Sequence, residues 1–198
     1  HRVHASTVGL MEHLPVVSGY LLDKELAFLE GVFRAPGRPL LLAVGGAKVS
    51  DKIGLVANLI SRVDKVLIGG VCASVFLKAQ GRTVGKSFLA DVFVNQAKAG
   101  SRQDHFAIAK QLLRQYPHKI VLPVDMVAAP SITSRSTRVI DLERDTMDQR
   151  LAFYDIGPRT IKLFLRQLRQ AKTILWNGPM GVFEQKQFER GTAELVKA

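Results

Sequence analysis

Short apolar runs that alternate with segments of helical period are the feature that most restricts how this chain folds. "PLLLAV" (39–44), "KVLIG" (65–69), "KIVLPV" (119–124), "TRVID" (137–141) and "TILW" (173–176) are each brief and rich in Val, Ile and Leu, as strands covered on both faces are. Strands separated by helices feed a parallel sheet, because a parallel neighbour needs a long crossover. The pattern therefore predicts an α/β fold: a doubly wound, mostly parallel sheet with helices on both faces.

The intervening segments carry helical signals. "SDKIGLVANLISRV" repeats Ile53, Val56, Ala57 and Ile60 on one face, with Ser50 or Asp51 placed to cap it. Residues 73–79 form a short helix closed by Gly81, and 91–116 a longer one interrupted near Gly100. The second part of that stretch, with Phe106, Ala109, Leu112 and Leu113 on one side, stops before Pro117. "PRTIKLFLRQLRQA" has Pro158 at a first-turn position and an apolar stripe of Ile161, Phe164, Leu165 and Leu168. "LLDKELAFLEGVF" is a further helix, followed by the turn-rich "RAPGRP". No repeat or low-complexity tract interrupts the series. One domain over residues 21–198 is expected, with residues 1–20 as a lead-in.

Composition narrows the function classes. A chain of 198 residues with 47% hydrophobic content can bury a core, and no stretch is apolar for long enough to span a membrane. No leader peptide is evident at the start, which is His1 with no initiator Met, as in an excerpt from a longer protein. One cysteine, Cys72, excludes an internal disulfide and reads as a small buried apolar residue. A reducing compartment, the cytoplasm, is expected. The net charge of +11 favours anionic ligands. Its basic residues are scattered and not interleaved with aromatics, so neither specific nucleic-acid binding nor a membrane partner is expected.

Ligands in open α/β sheets bind beyond the carboxyl ends of the strands, and three connections there are unusual. In "AVGGAKVSDK", Gly45 and Gly46 close a strand where a ligand can approach the backbone, and the next helix offers N–H groups and a positive dipole end. Lys48 and Lys52, four apart, add two positive charges on one side of the first turn. The motif is neither G-x-x-x-x-G-K-[ST] nor G-x-G-x-x-G, and a tight turn with solvated lysines would look the same. In "LIGGV", Gly69 and Gly70 close a second strand; two such ends leave room for a flat group such as a purine. In "TILWNGPMGVFE", a strand delivers Trp176, a core residue or a stacking platform, and then Asn177, Gly178 and Pro179 as a fixed turn. Glu184 follows at the start of the next helix, as a dipole partner or as an acceptor for sugar hydroxyls. His1 and His4 have ligand-like spacing but no carboxylate or thiolate partner, so no metal site is expected in this chain.

"VGGAKVSDKIGLVANLISRVDKVLIGG", "FLKAQGRTVGKS", "IVLPVD", "DIGPRTI", "WNGPMGVFE" and the opening "HRVHASTVG" occur in an order and spacing that resemble phosphoglycerate kinase over nearly the whole chain. The resemblance implies two doubly wound, Rossmann-like domains joined by a hinge, of which this chain has the end of the substrate domain and most of the nucleotide-binding domain, truncated at its C-terminal end. It implies reversible phosphoryl transfer from 1,3-bisphosphoglycerate to ADP, giving 3-phosphoglycerate and ATP with Mg²⁺, by a protein that is a monomer at full length. It also implies that Lys52 meets the transferring phosphoryl group, with Lys48 on the nucleotide phosphates. By the same motifs Gly45, Gly46, Gly69 and Gly70 line the adenine pocket, Asn177 and Pro179 line the nucleotide, Glu184 accepts from the ribose, and Arg2 binds the phosphate of the triose substrate. Such transfer needs positioned cations and no nucleophilic side chain, which agrees with the lack of a Ser-His-Asp or Cys-His set.

The match also departs from the family. The glycine-rich "GGGDS" or "GGGDT" segment, whose Asp serves the metal, does not occur before Ala198, nor does the basic patch of the substrate domain; efficient turnover by this chain alone is not expected. Where the family has a glycine before "DIGP", this sequence has Phe153, a ring that would crowd or reshape the base pocket. Val71 in place of a third glycine and "VAAPSIT" are further departures. The alternative is a divergent, non-catalytic nucleotide-binding or scaffold paralogue. A glycosomal location is also compatible with the charge, although the last residues carry no peroxisomal signal.

Overall fold

The computed structural model describes residues 8–89 and 104–197, which fall into two compact units divided after Pro36. The first contains a 3-10 turn, Gly9–Glu12, and helix α1, Tyr20–Arg34, which buries no residue within that unit.

The second unit is built on a parallel sheet of β1 (Leu40–Val44), β2 (Lys65–Ile68), β3 (Ile120–Val121) and β7 (Thr173–Asn177), in the order β3-β2-β1-β7. β1 is central and every residue of it is buried. Its register sets Val44 against Ile68 on one side and Asn177 on the other, so the carboxyl ends of β1, β2 and β7 finish level. Crossovers run through α2 (Val49–Leu59), α3 (Gly70–Ala79) and α4 (His105–Gln115), which pack against one another, while α5 (Pro158–Gln170) packs against α6 (Arg190–Val196). Helices cover both faces, as the sequence predicts. No helix among the described residues is long and apolar enough to cross a membrane.

Beside this lies a three-stranded antiparallel sheet, β5-β4-β6, of β4 (Asp125–Ala129), β5 (Arg138–Asp141) and β6 (Ala152–Ile156). The apolar run over 137–141 thus forms β5 outside the parallel sheet, pairing antiparallel with β4. The strand predicted over 119–124 pairs only at Ile120 and Val121; Pro123 offers no N–H to a ladder, and the chain then enters the second sheet at Asp125.

The predicted helix faces hold with local shifts. Through α2 and its C-cap the buried apolar positions are Val49, Ile53, Val56 and Ile60, a cleaner i, i+4, i+7, i+11 stripe than the expected one, and Ala57 is exposed. The cap position falls on Lys48 with no side-chain hydrogen bond, so neither Ser50 nor Asp51 occupies it. α5 starts at Pro158 as expected. Its first turn is held from β4: Asp125 Oδ2 accepts the Arg159 N–H (3.0 Å) and Oδ1 the Thr160 N–H (2.7 Å). The Thr160 hydroxyl, fully buried, accepts the N–H groups of Val124 and Asp125, both at 3.0 Å. Gly157 leaves the space for this, because a Cβ there would sit 2.5 Å from each Asp125 carboxyl oxygen.

Candidate functional site

The level carboxyl ends of β1, β2 and β7 are tied together through the main chain. Gly45 N–H donates to Asn177 O (3.0 Å), Gly46 N–H to Pro179 O (2.7 Å), Gly69 N–H to Val44 O (2.7 Å) and Gly70 N–H to Met180 O (2.8 Å). Val71 N–H closes the ring onto Gly46 O (3.1 Å). Glycine is required by contact and by backbone angle. A Cβ on Gly45 would lie 2.7 Å from Pro179 C and closer still to its oxygen, and one on Gly70, at φ +57°, would lie 2.5 Å from Gly46 N. Gly46 and Gly178 both have φ of +91°, a conformation that L side chains rarely adopt.

This arrangement differs from a bare glycine edge. The N–H groups of all four predicted glycines are already bonded within the chain, so what Gly46 and Gly70, both half-buried, can offer a ligand is flat Cα surface and not donors. Gly45 and Gly69 are buried and serve the close approach of the 177–180 segment. The groups here that can donate to an anion are the first-turn N–H groups of α2, which lack intrahelical acceptors, and the lysines.

Lys52, half-buried in the first turn of α2, donates from Nζ to Asn177 Oδ1. This joins the first and third predicted strand ends by a side-chain contact. Its positive charge also reaches Cys72, where it lowers the thiol pKa slightly against a dominant burial effect that pushes it to about 12; Cys72 is buried and inert as a nucleophile. Lys48 is exposed at the cap position of α2, with extended backbone angles (φ −83°, ψ 95°), so the two lysines do not share a helical turn in the way the spacing predicts. Pro179 is half-buried and fixed through its carbonyl oxygen. Trp176 Nε1 donates to Gly178 O at 2.7 Å, which makes the indole a brace for the turn.

Glu184 is exposed in a turn ahead of the 3-10 segment Lys186–Phe188 and not at the start of a helix. The dipole reading therefore has no helix to act on. Phe153 lies in β6 opposite Ala128, is 8% exposed, and donates its N–H to Ser87 Oγ at 2.9 Å; no hydrogen bond links it to the Lys52 cluster. Arg2, His1 and His4 lie outside the described residues, as do positions 91–103 of the helical stretch expected over 91–116. A cavity of about 350 Å³ between Arg38, Asp64, Lys65 and Gln167 opens at the opposite, amino ends of β1 and β2, where the Arg38–Asp64 pair (2.6 Å) ties the first strand residue in place.

Three residues that the sequence does not single out support the same segment. Met180, fully buried, donates its N–H to Thr192 Oγ1 at 3.0 Å. Asp155, 1% exposed, accepts the N–H of Gly191 at 2.7 Å and that of Ile156 at 2.8 Å. Burial pushes the Asp155 carboxyl up to about 7, and the two N–H donors oppose that rise. Neither Thr192 nor Asp155 has a spacing signature; only contacts across sequence separations of 12 and 36 reveal them. Among the described residues no group of three or more His, Cys, Asp or Glu side chains is placed to hold a metal ion.

Comparison with known proteins bears on the family and the fold. The family model for phosphoglycerate kinase matches residues 1–198. Phosphoglycerate kinases of Rubrobacter xylanophilus and Staphylococcus haemolyticus are 43% and 42% identical over all of this chain, which spans 47% of each relative. Among solved structures, phosphoglycerate kinase from Pyrococcus horikoshii matches with a TM-score of 0.78 at 31% identity, covering 100% of this chain and 48% of its own. That from Coxiella burnetii matches with a TM-score of 0.76 at 34% identity over 90% of this chain and 44% of its own. The chain thus spans about half the length of the relatives it matches, and by the family model and these identities it belongs to the phosphoglycerate kinase family.

Proposed function

We infer that the protein containing this chain is a phosphoglycerate kinase, moving a phosphoryl group reversibly from 1,3-bisphosphoglycerate to ADP to give 3-phosphoglycerate and ATP, and that residues 21–198 supply its nucleotide side. The observation that carries this reading is the Lys52–Asn177 contact at the tied ends of β1 and β7, beside the open amino end of α2. Phosphoryl transfer asks the protein mainly to align two anions and to offset charge on the migrating group, and a lysine held by a neighbouring amide oxygen is a fixed cation of the required kind. Lys52 faces the transferring group, Lys48 the nucleotide phosphates, and the flat Gly46 and Gly70 surfaces the base. Pro179 and Asn177 border the nucleotide and exposed Glu184 accepts from the ribose. Arg2 and the rest of the substrate side hold the triose. Mg²⁺ accompanies the nucleotide; the described residues provide no ligand set for it, and none of these roles depends on one.

Buried Phe153, where the family pattern has a glycine, favours a second reading, a nucleotide-binding or scaffold protein without turnover. Calorimetric titration of the chain with Mg-ADP tests the first element. Lys52→Ala is expected to weaken binding by about tenfold to a hundredfold, the worth of a charge-assisted contact; an unchanged Kd would refute the role of Lys52, and a coupled ATP-forming assay on the full-length protein separates kinase from scaffold.

A further inference from the structure

The segment from Asn177 to Gly191 is fastened at both ends by different means. Its inner end is held by the glycine ring: Gly45, Gly46 and Gly70 donate to the carbonyls of Asn177, Pro179 and Met180. Among the described residues its outer end has no such partner in the parallel sheet. It is fastened instead to β6 and α6: Val182 N–H donates to Tyr154 O (2.8 Å), Met180 N–H to Thr192 Oγ1 (3.0 Å), and Gly191 N–H to Asp155 Oδ2 (2.7 Å). Glu184 lies in an exposed turn between the Val182 and Gly191 fastenings.

Asp155 is the costly member. It is 1% exposed, it carries no salt bridge among the described residues, and its acceptors are filled by backbone N–H groups alone. Two glycines have been cleared around it: a Cβ on Gly181 would lie 2.5 Å from its Cγ, and one on Gly191 2.9 Å from the same atom. A buried carboxylate of this kind is a poor stabiliser, because desolvation opposes its charged form. The space made for it is therefore better explained by placement than by stability.

We propose that Asp155, with Thr192, is a positioning residue for the nucleotide site: it fixes the outer end of the 177–191 segment so that Asn177, Pro179 and Glu184 keep their places relative to Lys52. This rests on the nucleotide reading above. An isosteric Asp155→Asn keeps one acceptor and sets an amide N–H₂ against the Gly191 or Ile156 N–H, which frees the clamp while removing a buried charge. Thr192→Val removes the Met180 acceptor without touching the carboxylate.

The test compares the chain with both variants at about pH 8, above the carboxyl midpoint of about 7, by amide hydrogen exchange, denaturant unfolding and calorimetry with Mg-ADP. The expected result for Asp155→Asn is exchange of the Met180, Val182 and Gly191 amides at least about tenfold faster, unchanged exchange in β1 and β2, global stability no lower than the parent, and Mg-ADP affinity weaker by about tenfold. Thr192→Val moves the same amides and the affinity in the same direction. The inference is overturned if affinity falls only in step with global stability, which is the signature of a merely structural residue. It is also overturned if the loop amides do not respond, or if they respond and affinity does not. Selective loop exchange in a parent chain that binds no Mg-ADP supports the clamp and refutes the nucleotide reading.

Discussion

Replacing Gly45 by alanine places one methyl group where the backbones of β1 and β7 meet. The new Cβ would lie 2.7 Å from Pro179 C and 3.0 Å from Gly178 O, and nearer still to Pro179 O. All are main-chain atoms that no rotamer change can move aside. Ordinary contact begins near 3.4 Å, so the 178–179 segment must shift by more than half an ångström. The hydrogen bonds Gly46 N–H to Pro179 O (2.7 Å) and Gly45 N–H to Asn177 O (3.0 Å) cross that gap. Losing or stretching both costs about 1–3 kcal/mol, and the overpacking itself costs about 1–3 kcal/mol. A destabilisation of about 2–6 kcal/mol is expected, or a fall in Tm of about 10 °C for a chain of this size. Gly54→Ala is the internal control. It lies in the body of α2, where an added Cβ would meet nothing within 4 Å, so the same substitution there should add about 0.5–1 kcal/mol through helix propensity. Urea unfolding of both variants gives the two numbers directly. Gly45→Ala within about 1 kcal/mol of the parent, with the Gly46 amide still protected from exchange, would show that the strand ends are not locked in this way.

The acid side of the stability profile should carry the mark of Asp155. Its pKa is raised by burial from 3.8 to about 7, so its contribution is fully present below about pH 4 and is lost as pH rises toward 7, a swing of about 4 kcal/mol at most. Denaturant unfolding at about pH 5 and pH 8 should therefore show a fall in the parent that is smaller in Asp155→Asn; parallel profiles for the two proteins would rule out a raised carboxyl. Thr160→Val removes the hydroxyl that serves the Val124 and Asp125 amides and the Asp125 carboxyl. It should lower unfolding free energy by about 2–4 kcal/mol, since those buried partners are left unsatisfied, and a loss under about 1 kcal/mol would mean that water or a shift of α5 replaces it.

The parallel half of the fold is readable in the sequence because its signals are local. β1, β2 and β7 are unbroken apolar runs, and the stripe of α5 at Ile161, Phe164 and Leu168 follows the helical period in place. Of the antiparallel sheet only β5 is, and β4 and β6 are missed for two physical reasons. β4 is "DMVAA", with two alanines and an initial aspartate that give weak strand propensity, and its buried character comes from its central place between β5 and β6 and from α5 packing against it. β6, "AFYDI", runs straight into Gly157 and Pro158, so its residues read as the flank of a turn motif. At the site, the glycine pairs, Lys52, Asn177, Pro179 and Glu184 are all marked by strand-end position, and motif resemblance adds the nucleotide roles expected of them. What sequence cannot supply is which donors remain open. That depends on Asn177, Pro179 and Met180 carbonyls arriving from a strand more than a hundred residues away to take the glycine N–H groups.

The ring at the strand ends is joined by amides and carbonyls, with side chains projecting from it as passengers. Val71 illustrates the result: its bond to Gly46 O uses the N–H alone, so the isopropyl group standing where a third glycine is usual in this pattern leaves the ring closed. The shape of the ring and the identity of the side chains on it are thereby uncoupled at this point. Positions such as 71 and 47 can be varied in a library to redraw the surface around the ring, while selection on the glycines preserves the frame beneath it.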